Sequence, residues 1–440
     1  MFLCAAAGAL GGLLYGFSLA VIAGVEPFVK DRFALGNTEL GLVVSNLDLG
    51  AALGAVVTGL VSDRLGRKKI LISTAIFFLL SITIAACAET VGILFLGRLL
   101  GGVAVGASMI LPLYIAEISP AKQRGLFVSL VQMAIVTGIL SAYLSGWLLV
   151  DAGPSNWQWM FAVGIPPAAL FLATVSFLPE SPRWLASRVA REAVGAVLAR
   201  SGAGVDSDAA LREIRDSLGS EKGKWGELFA PGPRRAMGRG LLVTIFSVTV
   251  GINAVIFYGP MILMEGAESS VSAALLGSVF LGGVNFSFSI IAVVCVDRCG
   301  RKPLLLWGLV GMLGAMVVLG LTFHPGESSP WVLASILIFV AFYAVSLGPV
   351  TWVFVSEIFP TRLRGLAVSL CMVAMYLADF AVTFLFPAMM DRLGRTSFMV
   401  FAAVCAAAAL FTLGMVPETR GKSLEEIEAM WAPRRGGLRS

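Results

Sequence analysis

Residues Gly97–Gly125 read GRLLGGVAVGASMILPLYIAEISPAKQRG. An arginine, Arg98, is followed by about 18 residues without a charge, enough for a helix to cross a bilayer. The stretch closes on Glu117 and Arg124, seven positions apart around a proline. The same ending recurs at Ser356–Gly365 (SEIFPTRLRG), with Glu357 and Arg364 again seven apart. A charge inside an apolar helix is costly and marks function. Its charged end, repeated about 240 residues later, predicts a membrane transporter built from two similar halves.

The composition agrees. Hydrophobic residues make up 58% and charged residues 13%, too little charge to cover a soluble surface of 440 residues. Bases outnumber acids, but they sit in short clusters between apolar runs, the positive-inside pattern of membrane loops rather than a nucleic-acid face. Nucleic acid is therefore excluded as a partner, and the lipid bilayer is expected as one. Six cysteines (Cys4, Cys87, Cys295, Cys299, Cys371 and Cys405) show neither metal spacing nor a disulfide framework and read as packing residues. The sole histidine, His324, falls in an outer loop, away from any relay through the bilayer. The apolar start is long enough to span and lacks a basic leader, so it reads as a first helix rather than a cleaved signal.

Twelve spans are expected, near 2–24, 39–61, 70–88, 91–117, 126–151, 157–178, 240–264, 270–296, 303–323, 330–356, 365–390 and 396–416. The fold class is an all-α membrane protein of two pseudo-symmetric six-helix bundles. The N-terminal bundle is 1–178, a cytoplasmic linker with short helices is 179–238, the C-terminal bundle is 239–416, and 417–440 is a cytoplasmic tail with a short helix. Within the linker Arg188–Leu218 carries a weak helical pattern, and Leu424–Trp431 forms an amphipathic tail helix. With both termini inside, 27 of the 32 lysines and arginines are cytoplasmic; Lys30, Arg32, Arg392 and Arg395 lie outside and Arg98 within a span. That orientation suits a cell inner (plasma) membrane.

The halves repeat. Asp63-Arg64-Leu65-Gly66-Arg67-Lys68 matches Asp297-Arg298-Cys299-Gly300-Arg301-Lys302, Glu117 and Arg124 match Glu357 and Arg364, and Pro179-Glu180-Ser181-Pro182-Arg183 matches Pro417-Glu418-Thr419-Arg420. The offsets are 234, 240 and 238. These charges at cytoplasmic helix ends are expected to form ion pairs that hold an inner gate shut and break when the halves rock, each biasing one state by ~1 kcal/mol or more. The alternative is an ordinary solvated surface.

Two acids lie inside spans. Asp48 precedes Asp63 by 15 residues and Asp379 follows Arg364 by 15, which puts both about 22 Å from the inner face. At matching heights they can meet or face a cavity, and a shared site would make them candidate proton carriers. Hydrogen bonding of the kind an asparagine makes is the competing reading.

GRLLGGVAVGASMILPLYIAEISPAKQRG, PESPRWL, VGINAVIFYGP, GPVTWVFVSEIFPTRLRG and PETRGKSLEEIE together resemble the sugar porter family of the major facilitator superfamily, over essentially the whole chain. The resemblance implies a sugar site at Gln132, with Ile135 and Ile139 on the same helix face, joined by Ser247, Asn253, Asn285, Trp352 and Asp379 and by the aromatic Tyr15, Tyr258, Tyr343 and Tyr376. Such amides donate to and accept from hydroxyls, and aromatic faces cover the C–H faces of a sugar. The chain also departs from the family. Ser247 and Val248 stand where two glutamines are usual, Ala344 where many glucose facilitators have an acid, and Met375 and Tyr376 where a polar residue and a tryptophan are usual. Lost amides weaken a standard hexose by ~1–3 kcal/mol each, so a polyol, a glycoside or another natural product, exported rather than imported, is an alternative cargo.

In proton-coupled members a first-span aspartate pairs with the arginine matched here by Arg98. Serine occupies that position as Ser18, which favours uniport; symport through Asp48 and Asp379 is the alternative. No nucleophile–base pair, metal cluster or phosphate loop is found, so neither an enzyme nor a cofactor is expected. A sugar sensor would need long cytosolic extensions. The chain is expected to act as a monomer.

Overall fold

The computed structural model describes residues 2–119, 124–188, 225–230, 232–266, 270–325, 329–360, 362–421 and 426. The expected helical pattern at Arg188–Leu218 and the tail helix at Leu424–Trp431 fall almost wholly outside these residues. Among the described residues the structure is helical, with 12 segments long and apolar enough to cross a membrane.

The N-terminal half comprises α1 (Phe2–Arg32), α2 (Asn37–Leu65), α3 (Arg67–Ala86), α4 (Val91–Ala107), α5 (Ile110–Ile118), α6 (Arg124–Leu148), α7 (Asn156–Ala162) and α8 (Ile165–Ser176). Spans four and six are interrupted helices, α4 with α5 and α7 with α8. A short α9 (Pro182–Arg188) and a 3-10 turn (Trp225–Phe229) flank the linker. The C-terminal half comprises α10 (Pro233–Thr249), α11 (Ile252–Gly266), α12 (Val271–Cys299), α13 (Arg301–Thr322), α14 (Pro330–Val345), α15 (Leu347–Ile358), α16 (Arg364–Leu393) and α17 (Thr396–Met415). The halves meet along α2 against α16, α6 against α12, and α1 against α11.

Large apolar side chains on the outside show where lipid lies. Phe177, Trp307 and Leu410 are each more than two-thirds exposed, an arrangement water would penalise and acyl chains favour. In such a solvent the hydrophobic effect does not drive helix pairing, so close packing must. The α2–α4 seam illustrates this. Gly50 and Gly54 on α2, and Gly102 and Gly106 on α4, each lie against a main-chain oxygen of the other helix: Leu99, Val103, Leu47 and Ala51 respectively. Both pairs have the four-residue spacing that aligns them on one helix face. Only hydrogen in place of a side chain permits that approach.

The first helix runs eight residues beyond its expected end and includes Lys30 and Arg32 in its last turn. The extension also buries Glu26 in the protein, 2% exposed.

Replacing Gly102 with leucine is expected to force α2 and α4 apart at a cost of ~1–3 kcal/mol, lowering the thermal midpoint of the purified protein in detergent. Gly283→Ala, inside α12 where an added methyl meets nothing within 4 Å, should not lower the midpoint, since alanine favours the helix over glycine.

Candidate functional site

The inner helix ends come first, because they are repeated. α3 and α13 both begin after a glycine, Gly66 with φ +93° and Gly300 with φ +87°, and neither glycine offers a capping side chain. The orphan N–H groups of each helix start are instead met from elsewhere in the same half. Glu180 accepts from the backbone N–H groups of Arg67 at 2.8 Å and Lys68 at 3.0 Å, and Glu418 accepts from those of Arg301 and Lys302, both at 3.0 Å. A carboxylate at a helix N-terminus also opposes the positive end of the helix dipole. Next to each cap sits an ion pair, Arg67–Glu117 at 3.4 Å and Arg301–Glu357 at 2.8 Å. Hydroxyls complete each repeat: Ser181 donates to Glu117, and Thr419 donates to Glu357 at 2.6 Å. Asp63 pairs with Arg67 at 3.2 Å.

Asp63, Arg67, Glu117, Glu180, Arg301, Glu357 and Glu418 thus gather as expected, but each of these contacts joins helix ends within one half. Glu180 acts mainly as a helix cap, and Arg364 reaches the Phe359 carbonyl at 3.4 Å. A further pair, Arg362–Glu227, fastens the linker turn to the C-terminal half. The side chains of Arg124, Arg183 and Asp297 lie outside the described residues. Burial works against the charge on Glu418, yet the N–H groups of Arg420, Arg301, Lys302 and Thr419 outweigh it and hold its pKa below the ordinary value of 4.5.

Toward the outer ends of α2 and α4, beyond Asp48, Arg98 is buried, 3% exposed. Its guanidinium donates to three main-chain oxygens: Val43 at 3.2 Å, Val44 at 2.9 Å and Ser18 at 3.2 Å. Ser18 is buried, and its hydroxyl is without a partner. A hollow of about 10 Å³ lies between Ser18 and Arg98, bordered by Leu47 and Phe161.

Asp48 and Asp379 meet. Both are buried, and their carboxyl groups lie within hydrogen-bonding reach of each other across the α2–α16 contact. Thr383 donates to Asp48 Oδ2 at 3.3 Å, and Asn253 Nδ2 donates to Asp379 Oδ2. The Oδ1 atom of each acid is buried without a hydrogen-bond partner. Just beside them the Tyr15 and Tyr376 hydroxyls, one from each half, stand 3.3 Å apart. Trp352 packs in the same cluster as Tyr15, Met375 and Tyr376, and Tyr343 faces Asp379 and Tyr15.

The remaining expected sugar contacts divide by what their polar atoms already hold. Gln132, half-buried on α6, and Asn285, buried on α12, have no side-chain hydrogen bond among the described residues. Ile135 is half-buried and Ile139 fully buried, both on α6. Ser247 turns its hydroxyl to the Thr244 carbonyl at 2.7 Å, and Tyr258 donates to the Thr383 carbonyl at 2.9 Å, so both are committed within the protein. Asn253 starts α11 just after Gly251, whose φ of +93° closes the break between α10 and α11. Sequence reasoning missed Thr383, which connects the acids to Tyr258, and Glu26.

Among the described residues, two helical halves pack around a buried polar interface, the arrangement found in secondary transporters built from repeated bundles. The family model described as "Sugar (and other) transporter" matches residues 4–431. The chain is 36% identical over 434 residues to the glucose transporter GlcP of Staphylococcus epidermidis, covering 98% of this chain and 97% of the relative. It is 39% identical over 429 residues to the galactose-proton symporter of Escherichia coli strain K12, covering 96% and 92%. The inward-open structure of the xylose transporter XylE from E. coli superposes with a TM-score of 0.85 at 34% identity, over 97% of this chain and 99% of that one. The chain belongs to the sugar porter family of the major facilitator superfamily, and it is a sugar transporter of the membrane rather than an enzyme.

Because its pKa is lowered, Glu418 contributes stability that is complete above the ordinary value of 4.5 and lost as pH falls through the lowered value. Glu418→Gln is therefore expected to reduce the thermal midpoint at neutral pH. The gap from the parent should narrow progressively in acid.

Proposed function

We propose that the chain carries a monosaccharide, a hexose or pentose, by alternating access, and that the N-terminal (1–178) and C-terminal (239–416) bundles rock about the sugar while 179–238 links them. It works as a monomer in the plasma membrane with both termini cytoplasmic, the orientation the lysines and arginines favour. The observation that carries this reading is the pair of uncommitted amides, Gln132 and Asn285, on α6 and α12, the two helices that pack across the halves. An amide without a protein partner in a water-poor setting is suited to hydroxyls, which both give and take hydrogen bonds. The relatives, which include carriers named for glucose, arabinose, galactose and xylose, support the same cargo class. Outer contacts between halves, such as Tyr143 donating to the Ile256 carbonyl at 2.9 Å, accord with the likeness to an inward-open transporter.

Ser18 exchanges no proton, so the first-span position takes no part in coupling; by itself that describes a facilitator. A second reading, uptake coupled to protons through Asp48 and Asp379, is favoured by one observation: the two carboxyls meet directly against Asn253.

Counterflow of labelled glucose or xylose into proteoliposomes tests the cargo. Gln132→Ala and Asn285→Ala should each weaken apparent affinity ~5- to 150-fold, the loss of ~1–3 kcal/mol per hydrogen bond. Competition by glycosides or polyols but by no free hexose or pentose would refute the monosaccharide reading and favour an exporter.

A further inference from the structure

Asn253 belongs both to the sugar site and to the acid pair, and that double membership has a chemical consequence. Its amide Nδ2 is held by Asp379 Oδ2. Asp379 in turn lies against Asp48, and both acids are buried where water cannot screen them. Two carboxylates in such a place repel strongly, and a single proton between them removes the repulsion and makes the contact a hydrogen bond. The charge count agrees: Arg98 faces Asp48 from α4, so a pair holding one proton leaves the cluster neutral. The other titratable groups turned toward the pair are phenols, Tyr15 on α1, Tyr258 on α11, Tyr343 on α14 and Tyr376 on α16. The pair also straddles the α2–α16 contact, one acid on each half, where a change in charge acts on the surfaces that must slide.

We propose that Asp48 and Asp379 share one proton at rest, and that arrival of a second on Asp379 Oδ2 hands the Asn253 amide to the sugar. While Asp379 is a carboxylate it accepts from Nδ2 and keeps that group engaged within the protein. Once Oδ2 carries a proton it becomes a donor; the Asn253 amide turns its carbonyl toward it, and the N–H bonds are released to a sugar hydroxyl. Only O–H bonds form and break: the proton comes from water on the side to which the site is open and leaves to water on the other side after the halves rock. Proton and sugar therefore help each other bind and travel together. Linkage requires this to be reciprocal, so the sugar must draw in a proton as the proton draws in the sugar. Ser18 leaves Arg98 without its first-span acid, and the coupling site lies one helix further on.

The inference rests on the sugar reading, and its test separates the two. Equilibrium binding of labelled glucose and xylose to the purified full-length protein is measured across acid to alkaline buffers. Proton uptake on sugar addition is followed with a pH dye in weakly buffered solution. The expected result is affinity that weakens as pH rises, by up to about tenfold per pH unit for one linked proton, together with proton uptake on binding. Asp379→Asn supplies an N–H donor for the Asn253 carbonyl, as the protonated acid would, so it should still bind sugar and perform counterflow. Its affinity should be flat with pH, and it should neither take up protons nor accumulate sugar against a gradient. Asp48→Asn should likewise lose the steep pH dependence, with thermal melting confirming that each variant is folded. Sugar binding that is independent of pH in the parent, or an unchanged slope in a folded Asp379→Asn, would overturn the switch while leaving the sugar reading intact. A parent that binds no monosaccharide at any pH would overturn both.

Discussion

Arg98 places its guanidinium on three main-chain oxygens, and the geometry of the N-terminal half follows from that choice. A bilayer has no water to solvate a cation at this depth, and a lone charge there would be prohibitive. Carbonyl dipoles from α1 and α2 take the place of water, so those two helices and α4 are bound at a common point. The α2–α4 seam can be this tight only because four glycines line it. With the arginine so held, its charge bears on Asp48 one turn along α2, and the acid pair, the tyrosine pair and Asn253 are arranged around the result.

The two halves agree closely at their inner ends and diverge at mid-membrane. Each inner end has a left-handed glycine, a remote carboxylate capping the following helix, and an Arg–Glu pair completed by a hydroxyl. These contacts, among the described residues, stay within one half and fasten neighbouring helix ends to one another. The centre has no such symmetry. Arg98 on span four corresponds, at the 240-residue offset, to the apolar Ile338 on span ten, and Asp48 and Asp379 come from spans two and eleven. Duplication supplied the frame, and divergence at its middle gave the frame a task.

Much of this was legible beforehand, for identifiable reasons. The twelve spans follow from run length, and the repeat from offsets that hardly vary. The meeting of Asp48 and Asp379 follows from equal distances to motifs at the inner face. Other features were obscured. Glu180 also accepts from the backbone N–H groups of Arg67 and Lys68, a role that a string of side-chain letters does not display. Ser247 was read as facing the sugar, but a helical serine readily turns back to a carbonyl three or four residues earlier. Glu26 escaped because hydropathy ended the first span before it. The glycine seam was open to view as Gly50/Gly54 and Gly102/Gly106 at four-residue spacing and needed only the right template.

The borrowed caps at α3 and α13 have a last implication, for inheritance. Gly66 is tolerated as a bare elbow because Glu180, more than a hundred residues away, finishes the helix it opens, and Glu418 does the same for Gly300. A side chain at either elbow would occupy the space its acid needs. Elbow and acid therefore form one heritable unit split across the chain, and neither member can drift without stranding the other.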